Sequence, residues 1–110
     1  MAREALGLLQ GTVDVLILKT LTWKPLHGYG ISEFIRSQTN GDLAVEDAAL
    51  YQALHRLERK GLVDSEWGVS DANRRARIYS ITAIGRKQLR TEVVELRRYM
   101  AALFRVLEPA

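Results

Sequence analysis

The 110-residue chain contains no cysteine, so disulfides, thiolate metal sites and cysteine nucleophiles are excluded. Such a composition is compatible with a reducing compartment, and a cytoplasmic location is the expectation. Long apolar runs are also missing. The most apolar stretch, Val13 to Leu21, is broken by Asp14 and Lys19 and is far shorter than the roughly 20 residues that span a bilayer. The first residues, with Arg3 beside Glu4 and no small-residue cleavage pattern after them, do not read as a secretory leader. No internal repeat or low-complexity tract appears.

Catalytic chemistry has little to work with. His27 and His55 are the only histidines and have no helical i, i+4 partner, so no metal site is expected. Gly28-Tyr29-Gly30 begins like a dinucleotide fingerprint, but Glu33 stands at the third glycine position and no βαβ unit precedes it. Ser32, Ser37, Ser65, Ser70 and Ser80 form no nucleophile elbow, and Glu58 and Asp64 read as solvated carboxylates. We therefore expect neither an enzyme nor a cofactor.

What is present is concentrated between Glu46 and Thr82. Leu50, Ala53, Leu54 and Leu57 recur at three- and four-residue spacings, which seats a helix on a core. The opposite face carries Tyr51, Gln52, His55, Arg56 and Arg59, long polar and basic side chains able to reach base edges and phosphates from a major groove. An ordinary solvated face would look much the same. Gly61 suits the left-handed end of that helix, after which Leu62 to Trp67 and Ala76 to Ile81 read as two strands around a tip, Gly68 to Arg75. This is the pattern of a winged helix. Residues 56 to 90 carry nine Lys or Arg against four Asp or Glu, a net +5 in a chain of net +3, so the basic charge is gathered where the helix and wing lie. That clustering is an electrostatic footprint for a polyanion. No long basic amphipathic helix with an aromatic apolar face is evident, which argues against membrane binding.

Around this centre, Thr12 is the expected cap of a first helix through about Thr22, with Val13, Leu16, Ile17 and Leu21 on one face and Val15 and Leu18 off it. Its apolar character on most sides fits either a central core helix or one that also touches a partner subunit through Leu16. A second helix follows Pro25 and Gly28, with Tyr29, Ile31, Phe34 and Ile35 on its apolar side, and Asn40-Gly41 stops it. Leu43 to Val45 is a candidate short strand beside the wing. Trp23 and Trp67 each read as closing an edge of the core. Thr82 caps a last helix in which Leu89, Val93, Leu96, Met100, Leu103 and Leu107 follow at spacings of four, three, four, three and four. That heptad seam either joins a second copy of the chain, which we expect, or folds back on the first helix.

Several separate motifs resemble one family. Leu8-Leu9-Gln10-Gly11-Thr12, His27-Gly28-Tyr29-Gly30-Ile31, the run Leu50 to Glu58 and the run Tyr79 to Arg86 look like the PadR family of transcriptional regulators, in order and spacing, over nearly the whole chain. The resemblance implies a mainly α fold with a small antiparallel β-wing (α+β): a winged helix-turn-helix domain over residues 1–82 and a C-terminal dimerisation helix over 83–110. It implies a dimeric repressor on an inverted repeat in double-stranded DNA. Small aromatic or hydrophobic effectors are also implied, with Trp23, Tyr99, Met100 and Phe104 as lining. Expected DNA contacts are Tyr51, Gln52, His55, Arg56, Arg59, Arg74, Arg75 and Arg77, with Lys60 and Arg86 as weaker backbone contacts. Where the family usually has Gly, a small hydroxyl residue and Pro, this chain has Ala48, Ala49 and Gln52. A phosphate donor is lost at Ala49, and Gln52 gains a bidentate contact to adenine that proline lacks. Glu46 and Asp47 favour the helix start electrostatically but would repel phosphate there. The rival reading is a winged-helix module whose exposed face and wing bind an acidic protein surface.

Overall fold

A computed structural model describes residues 5–9 and 11–108; Gln10 of the first motif, and Arg3 and Glu4 of the leader reading, lie outside the described residues. The chain forms α1 (Thr12–Leu21), α2 (Gly28–Gln38), α3 (Asp47–Arg59), β1 (Val63–Val69), β2 (Arg75–Ile81) and α4 (Ala83–Leu107). The α+β winged helix expected from the sequence is the fold.

α1 departs from its expected cap and face. Gly11, left-handed at φ 87°, is the N-cap without a side-chain bond. Thr12 is instead the first helical residue, its hydroxyl donating backward to the Leu9 carbonyl at 2.6 Å. Ile17, Leu18, Thr20 and Leu21 are the buried residues, because α1 touches α2, α3, α4 and β2 and so has no single inward face. Buried Thr20 is satisfied by donating to the Leu16 carbonyl at 2.7 Å.

In α2 the buried set is Gly28, Ile31, Ser32 and Ile35. Tyr29, expected on this side, is 70% exposed. Asn40 ends the helix as predicted: it is left-handed at φ 51°, and the Gly41 amide donates to the Arg36 carbonyl at 2.8 Å. The strand expected over Leu43 to Val45 does not join the wing. That turn sends Leu43 toward the N-terminal segment, where it bridges Leu6, while Val45 enters the core. The wing's third position is taken by Leu26, which exchanges two backbone bonds with Tyr79, at 3.1 and 2.9 Å.

α3 buries Leu50, Ala53, Leu54 and Leu57, the face read from its spacing. Gly61 at φ 74° then closes a Schellman motif, with the Leu62 amide donating to Leu57 at 2.9 Å and the Gly61 amide to Glu58 at 3.0 Å. The wing zips further than expected, from Val63↔Ile81 out to Val69↔Arg75. Its loop is correspondingly short: the Ser70 amide donates to Arg74 at 2.8 Å, and Asn73 takes φ 59°. Thr82 caps α4 as predicted, accepting from the Gly85 amide at 3.0 Å and donating to the Gly61 carbonyl at 2.7 Å. Along the heptad seam, Leu89 is buried and Val93 packs on the core. Leu96, Met100 and Leu103 are half-buried and Leu107 is exposed, so the inner end of the seam folds onto its own subunit and the outer end does not.

Candidate nucleic-acid interface

Opposite the buried face of α3, Gln52, His55 and Arg59 are exposed, and Tyr51 is partly so. Ala48 and Ala49 leave the start of this face free of bulk. Glu46 is the N-cap but makes no side-chain capping bond, and Asp47 places a carboxylate in the first turn, where the helix dipole favours it. Tyr51 lies along the start of α2. A methyl group on Gly28 would stand 2.7 Å from the Tyr51 hydroxyl, so the glycine is what lets the ring lie there. His27 caps α2 through Nδ1, which accepts from the Gly30 amide at 2.8 Å, so the Gly-Tyr-Gly segment is a capped helix start.

Arg56 does not stand with the others. Its Nη2 donates to Asp14 Oδ1 at 2.5 Å and its Nε to Asp14 Oδ2 at 3.4 Å, which ties α3 to α1. The hydrogen bond from Asp14 raises the guanidinium's pKa further above its ordinary value, against a smaller opposing effect of burial.

The register of the hairpin puts Val63, Ser65, Trp67 and Val69 on one face with Ile81, Tyr79, Arg77 and Arg75. Near the body that face is core, with Val63 and Tyr79 buried. Farther out it becomes basic. Trp67, read from sequence as a core edge, is 56% exposed because the strand has by then left the body. Its ring is a shelf for Arg75 at 4.5 Å and Arg77 at 5.3 Å. Arg77 also approaches Glu58 of α3 at 3.7 Å, and Glu58 accepts from the Ser65 hydroxyl at 2.7 Å. Glu58 thus fastens the wing to the end of α3, a role its reading as a solvated carboxylate missed. Burial, with Glu58 adding to it and Arg77 opposing, holds the Tyr79 phenol above its usual pKa. Among the described residues, Arg59 and Arg74 form no ion pair.

Between the start of α2, α3 and the wing lies an open hollow of about 510 Å³ lined by His27, Tyr29, Tyr51, Arg74, Arg75 and Arg77, among others. The structure therefore brings four of the expected contacts, Tyr51 and the three wing arginines, around one concavity, while Gln52, His55 and Arg59 occupy the outer face of α3. Tyr29, absent from the sequence-derived set, joins them. Its aromatic ring groups it with the apolar side in sequence, although it stands only two residues before Ile31, a spacing that turns it to another side of the helix. Lys60 and Arg86 are exposed just beyond α3 and in the first turn of α4.

The four residues expected to line an effector space are not gathered within one chain. Trp23 stacks on Phe34 at 5.0 Å in a hollow of about 920 Å³ between α1 and α2. Tyr99 borders a separate hollow of about 840 Å³ between α1 and α4. Met100 and Phe104 line neither. Among the described residues there is no group of three or more His, Asp or Glu that could hold a metal ion, and no helix is long and apolar enough to cross a membrane.

Known proteins place this geometry. The chain is 35% identical over 89 residues to an uncharacterised protein X of Lysinibacillus sphaericus, a match that covers 80% of this chain and 81% of that one. It resembles a transcriptional regulator from Clostridium thermocellum at 31% identity with a TM-score of 0.78, over 86% of this chain and 88% of the other. Bacillus subtilis PadR, solved in complex with operator DNA, shares the fold at 18% identity and a TM-score of 0.67, over 76% of this chain and 48% of that one. The model of the transcriptional regulator PadR-like family matches residues 17–91, from the second half of α1 through α2, α3 and the wing to the start of α4, and the chain belongs to that family.

Proposed function

We propose that this protein is a dimeric repressor that binds a palindromic operator through α3 and the wing. The observation that carries the reading is the pairing of an exposed polar helix face with a wing whose arginines are held on the same side. Gln52, His55 and Arg59 enter the major groove, where Gln52 reads adenine by a bidentate contact. Arg74, Arg75 and Arg77 follow the adjacent backbone or minor groove, where negative potential attracts arginine. Tyr51 donates to phosphate. In the family's Bacillus subtilis PadR the same fold meets operator DNA.

Two such faces require two subunits, and the outer seam of Leu96, Met100, Leu103 and Leu107 supplies a surface for the second copy, with Leu16 of α1, which lines the hollow of Trp23 and Phe34, as a further dimer contact. With α3 from each subunit about one DNA turn apart, roughly 34 Å, the operator is an inverted repeat. Occupancy blocks transcription. Any small aromatic or hydrophobic effector acts where Tyr99, Met100 and Phe104 of α4 meet the partner, with Trp23 in its own hollow. The protein works in the cytoplasm, without a cofactor and without catalysis.

Fluorescence anisotropy on labelled DNA from upstream of its own gene, with random duplex as competitor and salt varied, tests this. The expected result is a preference of about 10³ or more for one site, with two subunits per site. Equal, weak, salt-sensitive binding to every duplex drawn from the genome supports instead a module for an acidic protein surface. Gln52→Ala should change the base preference at one position; an unchanged operator profile removes Gln52 from the reading set.

A further inference from the structure

We propose that Asp14 is a positioning residue of the DNA-binding face, which withholds Arg56 from DNA and so keeps non-specific affinity low. The inference rests on the DNA-binding reading given above. Sequence alone puts Arg56 among the base readers, on the polar side of α3 with Gln52 and His55. In the structure its guanidinium turns to α1 and meets both oxygens of one carboxylate, through Nη2 and Nε. Two contacts fix the plane of the guanidinium as well as its distance, which a single ion pair would not do.

The carboxylate is itself anchored. Asp14 lies in the first turn of α1, where the helix dipole favours a negative charge, and its side chain is only 18% exposed against 42% for Arg56. The pair is thus a partly buried carboxylate holding a half-exposed cation. If Arg56 left for a phosphate, the carboxylate would remain half-desolvated without a partner, which disfavours the exchange. Arg59, one turn on, has no ion pair among the described residues and is free to move. The two arginines at the end of α3 are therefore unequal: one is available to the polyanion and one is held.

The consequence is selectivity. A free arginine adds counterion release on every sequence alike and so raises non-specific binding without raising discrimination. Because Asp14 belongs to α1, the restraint also ties the orientation of α3 to the helix at the centre of the subunit.

The test compares Asp14→Asn, Arg56→Met and the double variant with wild type, by anisotropy on operator and on random duplex across a salt series. Thermal unfolding confirms that each is folded, and Arg56→Met carries the test if Asp14→Asn does not fold. Asp14→Asn should bind random duplex about fivefold more tightly at 0.15 M salt, with the slope of log affinity on log salt steeper by about 0.9, as one added phosphate contact requires. Its operator preference should fall. Arg56→Met should keep the wild-type slope and the wild-type base-preference profile, and the double variant should lose the gain of Asp14→Asn. An unchanged slope in folded Asp14→Asn, or a changed base preference in Arg56→Met, overturns the proposal while leaving the regulator reading intact. A wild type with no site preference overturns both.

Discussion

Replacing Gly85 with alanine sets two effects of opposite sign against each other. Gly85 is the third residue of α4, and helix propensity alone favours alanine there by at most about 1 kcal/mol. The structure opposes this. A Cβ built on Gly85 stands 2.1 Å from the Leu62 carbonyl oxygen and 2.9 Å from Cγ1 of Ile81. The near atom is backbone, so no flexible side chain can yield, and α4 must move about 1 Å from the Gly61–Leu62 turn. Forced overpacking of this kind costs about 1–3 kcal/mol. The same shift loosens the Thr82 cap, whose bonds to Gly61, Leu62 and Gly85 all meet at this point, adding about 1 kcal/mol. The net expectation is a loss of about 1–3 kcal/mol, a fall in Tm of about 5–20 °C for a domain near this size. Thermal unfolding at fixed protein concentration reads it directly. A Tm equal to or above wild type would refute the reasoning, since propensity would then outweigh the close approach.

Arg74→Ala or Arg75→Ala should weaken binding to all DNA sequences alike and reduce the salt slope by about one, measured by the same anisotropy titration. Trp67→Leu should weaken it about two- to fivefold with the slope unchanged, because the stacking of Arg75 and Arg77 is lost while both charges remain; unchanged affinity would deny the ring a positioning role. Leu103→Asp, on the outer seam, should give a monomer in sedimentation that keeps its helical circular dichroism. Since burial, foremost, raises the Tyr79 pKa above 10.0, the folded state favours the neutral phenol. Its contribution to stability is whole below that pH and declines above it, as urea titrations between pH 8 and 11 should show.

The parts of the fold legible in the sequence were those set by local rules. The face of α3 followed from its spacing, the turn at Gly61 from the one residue at home in left-handed backbone, and the start of α4 from the hydroxyl of Thr82. Rules of period failed where an element has more than one neighbour. α1 is enclosed by several elements, so Leu18 is as buried as Ile17 although the two point in different directions. Tyr29, grouped with Ile31 and Ile35 for its aromatic ring, stands two and six residues from them, off their face, and lines the hollow beside the wing. The strand pairing of Leu26 with Tyr79 and the capture of Arg56 by Asp14 join residues far apart in the chain. No window on the sequence contains both partners.

These distant pairings change how the basic charge should be counted. Residues 56 to 90 hold nine lysines and arginines, and a composition-based argument would treat each as available to phosphate. Arg56 is held by Asp14, and Arg77 is shared between Glu58 and Trp67. Arg75 has no ion pair among the described residues but has its direction set by the indole. An arginine ordered before DNA arrives loses less side-chain freedom on binding, so it contributes more affinity than a mobile one of equal charge. Carboxylates close to the face lower the gain from any polyanion, whatever its sequence. Under the DNA-binding proposal, the arrangement trades total electrostatic attraction for direction: fewer cations than the composition supplies, held on the wing side of α3, would leave discrimination to Gln52 and His55 of the exposed helix face. A salt slope smaller than the number of basic residues on the face is what this division of labour entails.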